Sequence, residues 1–246
     1  MSASRPSLPW LTGDLRFPDP ALALQDPPGL LAAGGDLSPD RLRAAYRNGI
    51  FPWSMPHAPL LWWSPDPRCV FRPAQFEPPR SLRKCLRQSS WALSVDRAFG
   101  PVVAGCAAPR RDSDDTWITP DMAAAYQRLF ALGDAHAIEV WQDQTLVGGL
   151  YGVSVGRLFC AESMFSRVSN ASKLALWALM TLARQWQLPL VDAQLDNPHL
   201  LSLGAERLPR RHYLITLAAV RDLPAPPWRQ AEAQLAGAGF PVLSAS

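Results

Sequence analysis

Residues 156–186 read GRLFCAESMFSRVSNASKLALWALMTLARQW, and this stretch decides the fold because it passes directly from a strand pattern into a helix pattern. Up to Phe165 the side chains alternate, with Leu158, Cys160, Glu162 and Met164 on one face of an extended segment and Phe159, Ala161, Ser163 and Phe165 on the other. After a polar break in which Ser169 or Asn170 can cap, the chain is apolar almost all round a helix. Lys173, Thr181, Arg184 and Gln185 supply only a narrow polar stripe. A helix of that kind packs against a sheet. Glu162 stands out within it: a carboxylate among Cys160, Met164 and two phenylalanines is costly to bury without a partner or a charged ligand, which makes it a site candidate.

Downstream, LVDAQ at 190–194 reads as a strand that is central because it follows the buried helix directly. Asp192 and Gln194 share one of its faces and Val191 and Ala193 the other. Asn197 caps a short helix with Pro198 at its first position. A carboxylate and an amide on a central strand are either a hydrogen-bonded pair that holds loops in place or a pair aimed at a ligand. If Asp192 and Glu162 approach from neighbouring strands, they form a negative pocket with an apolar border, suited to a cation.

Upstream, strands over 136–141, 146–155 and 157–165 are joined by turns at 142–145 and at Gly156, as in hairpins. Before them, Thr119 and Pro120 open a helix with Met122, Ala125, Tyr126 and Leu129 on one side and Gly133 closing it. A strand from Trp91 and a helix over 98–106 precede that, followed by an acidic exposed turn from Asp112 to Asp115. The order αα-βββ-α-β-α-β describes an α+β fold, a mixed sheet with helices packed on it.

Residues 80–88, RSLRKCLRQ, place Arg80, Arg83, Lys84 and Arg87 on a single helix face with Leu82 and Leu86 opposite. Like charges at that spacing repel, costing a few tenths of a kcal/mol per pair, so the face is either merely solvated or matched by phosphates. Further back, GIFPWSMPHAPLLWWSPDPR at 49–68 carries Phe51, Trp53, Trp62 and Trp63 between prolines that argue against a central strand or a continuous helix. Such tryptophans fill a core or offer a stacking platform. Ser38, with Pro39 and Asp40, opens a small helix whose apolar face holds Leu42, Ala45 and Tyr46 and which Gly49 ends.

The chain has 246 residues, 48% of them hydrophobic, enough for one full domain and a smaller companion. A net charge of +3 is too small to make the whole molecule a polyanion binder, so nucleic-acid contact needs a local patch. No apolar run approaches the roughly 20 residues of a membrane helix, and MSASRPSLPW lacks the apolar core of a secretory signal, so a soluble, cytoplasmic protein is expected. The four cysteines, at 69, 85, 106 and 160, form no close pair and read as reduced structural thiols. Gly152, Ser154 and Gly156 spell the hydrolase pattern G-x-S-x-G, but the residues from Arg157 onward alternate as a strand, which makes Ser154 a hairpin serine. The histidines show no metal-ligand spacing and no phosphate-binding Walker loop is present.

Taken together, GLLAAGGDLSPDRL, AYRNGIFPW, LWWSPDPR, RSLRK, TWITP, LVGGLYGV, FCAESMFSR, NASK, VDAQ and SLGAERLPRR, in this order over nearly the whole chain, closely resemble the leucyl/phenylalanyl-tRNA–protein transferase family. The resemblance implies a small Pro/Trp-rich α+β domain over 1–66 and an N-acetyltransferase-like catalytic domain over 67–246. It implies transfer of leucine or phenylalanine, less often methionine, from aminoacyl-tRNA to proteins with an N-terminal arginine or lysine, which marks them for N-end-rule degradation. No cofactor and no metal are implied, and the protein would act as a monomer. By that analogy Asp192 would orient Gln194 and the incoming amine, and Gln194 would hydrogen-bond the amine or the tetrahedral centre. Glu162 and Asp192 would hold the cationic residue, and Phe159, Met164 and Leu179 would line the pocket for the transferred side chain. Trp53 and Trp117 would lie near the terminal adenosine, while Arg80, Arg83, Lys84 and Arg87 would take acceptor-stem phosphates. Two places depart from the family's habit: Glu77, Pro78 and Pro79 precede RSLRK where the family usually carries a histidine and a serine, and Ala161 stands where glycine is common. Two other readings stay in play, an acyl-CoA N-acyltransferase and a tRNA-binding module without catalysis. Asn170 in the first glycine place of a pyrophosphate loop counts against the former.

Overall fold

The computed structural model describes residues 8–55, 58–109 and 116–244; the acidic stretch from Asp112 to Asp115 lies outside them. The first part of the chain gives β1 (Trp10–Leu11), β2 (Leu30–Gly34), α1 (Pro39–Arg47), β3 (Phe51–Pro52) and β4 (Leu61–Trp63). These strands make a small sheet in the order β1-β2-β4-β3. Ser38 accepts the amide of Arg41 and so opens α1 as its sequence requires. The aromatic segment departs from its expectation. Pro52 sits on an edge strand, but β4 lies between β2 and β3, because three residues fit between Pro59 and Pro65 without asking a proline for a ladder hydrogen bond.

The rest builds β5 (Arg68–Phe71), α2 (Arg80–Gln88), β6 (Trp91–Val95), α3 (Phe99–Ala107), α4 (Pro120–Ala131), β7 (Ala135–Gln142), β8 (Thr145–Val155) and β9 (Leu158–Ser166). After these come α5 (Ala171–Gln185), β10 (Val191–Gln194), α6 (Pro198–Ser202), β11 (Glu206–Leu208), α7 (Arg210–Val220) and α8 (Ala231–Gly237). The large sheet runs β11-β5-β10-β9-β8-β7-β6. Its neighbours pair antiparallel except β9 and β10, which are parallel and are linked through α5, the crossover that parallel strands need. The fold is therefore α+β with a mixed sheet. Ser154 lies within β8 and its hydroxyl accepts the Trp228 indole, so no nucleophile turn exists there.

Two apolar layers hold the sheet. On one side α5, with Leu174, Leu179 and Met180 wholly buried, packs with Phe159, Val191 and Trp228. On the other, Val102, Tyr126, Tyr151 and Tyr213 pack with Leu42, Tyr46 and Trp62 from the small sheet and its helix, so the two sheets share one core. The start of α5 differs from its reading. Asn170 takes a left-handed φ of 72° and its side chain caps nothing; Ser166, at the end of β9, accepts the Ser172 amide instead. Thr181, expected on the polar stripe, is buried and donates back to the Trp177 carbonyl.

Candidate active site

The parallel pairing of β9 and β10 lasts only for Phe159 with Val191 and Cys160 with Asp192. Beyond it the strands part, and a cleft of about 630 Å³ opens between residues 161–166 of β9 and residues 193–195 at the end of β10. Both strands bulge at that point. Against β8, Tyr151 pairs with Ser163 and Gly152 with Ala161, which leaves Glu162 as an extra, unpaired residue. Gly152 is what the bulge requires opposite it, since a Cβ there would meet the Cys160 carbonyl and the Phe159 ring. Against β5, Asp192 pairs with Val70 and Gln194 with Cys69, so Ala193 is extra, and Gln194 takes a φ of 56°. Bulges of this kind re-aim side chains beside sites.

The expected alternation along β9 therefore breaks. Phe159 and Phe165 do not share a face, for Phe159 packs with the α5 layer and Phe165 with the opposite one; Met164 likewise joins the α5 layer while Cys160 does not. Glu162, freed from the ladder, turns to the layer of Tyr126 and accepts that hydroxyl at 2.7 Å on Oε2, and its Oε1 accepts Gln194 Nε2 at 2.9 Å. Tyr46 and Tyr126 lie 2.8 Å apart, oxygen to oxygen. Burial pushes the Glu162 carboxyl up to about 7, against the pull of the Tyr126 and Tyr46 hydroxyls.

Asp192 is placed differently from its expectation. It is wholly buried and does not border the cleft. Arg68 Nε and Nη2 meet its two oxygens at 2.8 and 2.6 Å, and Tyr213 donates to Oδ2 at 2.8 Å. Arg68 is itself sandwiched between the Phe51 and Tyr213 rings, and its charge, opposed by burial, is restored by Asp192. With its charge answered, Asp192 also meets the Cys160 thiol and, on Oδ1 at 2.9 Å, the Gln194 amide, a contact that holds Gln194 in its left-handed conformation. The negative charge open to the cleft is that of Glu162 alone among these two.

The other expected residues divide. Trp53, Trp117, Glu162, Met164 and Gln194 line the cleft; Phe159 and Leu179 do not, being nearly or wholly buried beneath it. The apolar wall comes instead from Phe71, Leu150, Leu176 and Leu200 together with Met164. Trp53 and Trp117 are half-buried, packed edge-on against Trp63 and Tyr126. Arg80, Lys84 and Arg87 are exposed on α2, whereas Arg83 pairs with Glu77 at 2.5 Å just ahead of the helix. The Cys160 thiol, next to Asp192, is pushed well above its ordinary value by burial and supplies no thiolate.

The chain matches the family model described as leucyl/phenylalanyl-tRNA protein transferase over residues 70–218, and the model of that family's N-terminal domain over 35–66. It is 55% identical over 208 residues to a leucyl/phenylalanyl-tRNA–protein transferase of Aeromonas hydrophila subsp. hydrophila, covering 85% of this chain and 88% of that one. A protein of the same name from Hahella chejuensis is 52% identical over 225 residues, covering 91% and 96%. This chain belongs to the leucyl/phenylalanyl-tRNA–protein transferase family.

Among solved structures, a ribosomal-protein-alanine N-acetyltransferase from Brucella melitensis biovar Abortus 2308 overlaps 46% of this chain and 86% of that one, with a TM-score of 0.33 at 15% identity. A GCN5-related N-acetyltransferase from Kribbella flavida overlaps 68% and 59%, with a TM-score of 0.36 at 10% identity. Overlaps this loose leave the description of the fold to the strand order itself. In this member of the transferase family the start of α5 is already satisfied internally, since the Ser166 hydroxyl accepts the Ser172 amide and donates to the Ser172 hydroxyl.

The sequence reading missed Arg68, Tyr213, Tyr126 and Tyr46 as members of the site. Only Arg68 had a signal, because a carboxylate on a central strand needs a buried counter-charge and Arg68 opens the apolar strand RCVF.

Proposed function

We infer that this chain transfers leucine or phenylalanine, and less readily methionine, from aminoacyl-tRNA to the N-terminal arginine or lysine of acceptor proteins, and so marks them for degradation. The observation that carries the reading is the Glu162–Gln194 pair, set at the wall of an apolar cleft where two parallel strands part. An aminoacyl ester is already activated, so its aminolysis asks the protein for position and for charge stabilisation. The nucleophile is an α-amine with a reference pKa of about 7.7–8.0, an appreciable part of it neutral near pH 7. Its nitrogen attacks the ester carbonyl, the tetrahedral centre collapses, and the ribose oxygen leaves with the proton the amine gives up.

Each residue has work in that scheme. Glu162 faces the cationic side chain of the acceptor. Gln194 has its Nε2 committed to Glu162 and its Oε1 without a partner among the described residues, free to accept from the amine. An amide takes no proton near neutrality, so Gln194 positions the nucleophile and the ribose hydroxyl carries the proton. The wall of Leu150, Met164 and Leu176 selects by size and apolarity. Trp53 and Trp117 offer ring faces to the terminal adenosine, and Arg80, Lys84 and Arg87 meet acceptor-stem phosphates without reading sequence.

The test is transfer of radiolabelled leucine from charged tRNA to peptides that differ only in their first residue. Losing a charge-assisted contact inside a cleft costs about 10- to 100-fold, so a peptide beginning with arginine should outrun one beginning with alanine by that factor in kcat/KM. Equal rates on the two would remove Glu162 from its role. Binding of tRNA with no transfer to either would leave a tRNA-binding module.

A further inference from the structure

Both side chains hydrogen-bonded to Glu162 donate to it. Tyr126 has a single hydroxyl proton, and it is spent on Glu162 Oε2, so at the 2.8 Å contact between the two tyrosines Tyr46 must be the donor. Gln194 Nε2 donates to the other oxygen. The result is a directed chain, Tyr46 to Tyr126 to Glu162, met from the far side by an amide. Its members come from α1, α4, β9 and β10, and both tyrosines are buried. A proton on Glu162 would weaken it as an acceptor for both the amide and the Tyr126 hydroxyl, so this set of donors favours the ionised form.

We propose that Tyr46 and Tyr126 are positioning residues that favour the ionised form of Glu162 and thereby hold Gln194 with its Oε1 toward the acceptor amine. This rests on the reading of Glu162 as the counter-charge of the acceptor's first residue. It also gives the N-terminal part of the chain a share in substrate choice, because Tyr46 belongs to α1. This hydrogen-bond chain works against burial, which favours the neutral form of Glu162. The other titratable or charged groups facing Glu162 are Tyr151 of β8, Cys160 of β9, Asp192 of β10 and Arg68 of β5. Asp192 and Arg68 answer one another, and the raised tyrosine and thiol stay neutral through this range.

The experiment compares full-length wild type with Tyr126→Phe and Tyr46→Phe, measuring KM for an arginine-initiated peptide from pH 5.5 to 8.5. The peptide's own amine titrates alike with every variant, so the ratio to wild type isolates the protein. Tyr126→Phe should move the midpoint of the Glu162 limb up by about one pH unit, roughly tenfold in the charged fraction below it, and the two KM values should converge at the alkaline end. Tyr46→Phe should shift it the same way and less, and KM for aminoacyl-tRNA should stay put with both. A penalty equal at every pH, or an unmoved midpoint, overturns the proposal. Glu162→Gln separates it from its foundation. If that variant keeps the preference for arginine, the counter-charge reading fails; if it abolishes the preference while neither tyrosine variant moves the midpoint, only the tyrosine chain fails. Should Tyr126→Phe not fold, Tyr46→Phe, with an infrared titration of the Glu162 carboxyl band, decides alone.

Discussion

Asp192 is wholly buried, hydrogen-bonded to Arg68, Tyr213, the Cys160 thiol and the Gln194 amide, whereas Gln194, two positions on, borders the cleft. Replacing them should therefore do different damage. Asp192→Ala leaves the Arg68 guanidinium buried without a counter-charge, which costs about 3–5 kcal/mol of stability. Asp192→Asn combined with Arg68→Met, which leaves no stranded charge, should recover much of that. Gln194→Ala should cost only about 1 kcal/mol while slowing transfer roughly 10- to 100-fold. Urea midpoints and single-turnover rates check the set, and an Asp192→Ala protein with the wild-type midpoint would contradict the buried-pair account. The residue types were legible in the sequence, since an acid and an amide on a central strand had to meet something. Which of them meets substrate was not, because Arg68 and Tyr213 arrive from 124 and 21 residues away in the chain.

Two elements show why a regular pattern misleads beside a site. The alternation along β9 correctly implied a strand but mis-assigned faces beyond Cys160, because one extra residue at Glu162 shifts every later side chain to the other side. Nothing local in FCAESMF announces the slip; the requirement sits on the neighbouring strand, at Gly152. Helix α2 presents the reverse case, legible throughout. It begins at Arg80 with no side-chain cap and places Arg80, Arg83 and Lys84 at its positive N-terminal end, so both the dipole and mutual repulsion disfavour it in isolation. Leu82 buried beneath it and the Glu77–Arg83 pair offset part of that. Phosphates would offset the rest. Lys84→Ala with Arg87→Ala should weaken tRNA binding about tenfold at moderate salt and flatten the log–log salt dependence by about 1 to 2, with α2 and the Glu77 pair intact. Transfer from a short aminoacyl-adenosine donor should be unaffected. Equal loss with both donors would place these residues in the fold and not at the tRNA.

At the scale of the molecule, the helices, hairpins and mixed sheet were readable from periodicity and caps, but the merging of the two sheets was not. Leu42, Tyr46 and Trp62 come from one sheet's part of the chain and Tyr126, Tyr151 and Tyr213 from the other's, and they form a single core, which only long-range packing determines. Such a core should unfold as one unit. Its pH response is set in part by Glu139, wholly buried on β7, where Oε2 accepts the Ser94 hydroxyl and Oε1 the Ala98 amide ahead of α3. Burial raises this carboxyl from 4.5 to about 7, against the pull of Ser94 and Ala98. Between those values the folded protein holds a proton that the unfolded chain has released. Stability therefore falls as pH rises through that window, by roughly 3 kcal/mol from this group once pH passes 7. Glu139→Gln keeps an acceptor for Ala98 and a partner for Ser94 but cannot ionise. Urea unfolding followed by tryptophan emission and by far-ultraviolet circular dichroism should give one coincident transition in both proteins at every pH from 5 to 8. The midpoint should drop with pH in the wild type and drop less in Glu139→Gln, leaving the variant the more stable of the two at pH 8. Parallel pH curves would mean that Glu139 is already ionised in the fold, and separate transitions would mean that the shared core does not couple the sheets.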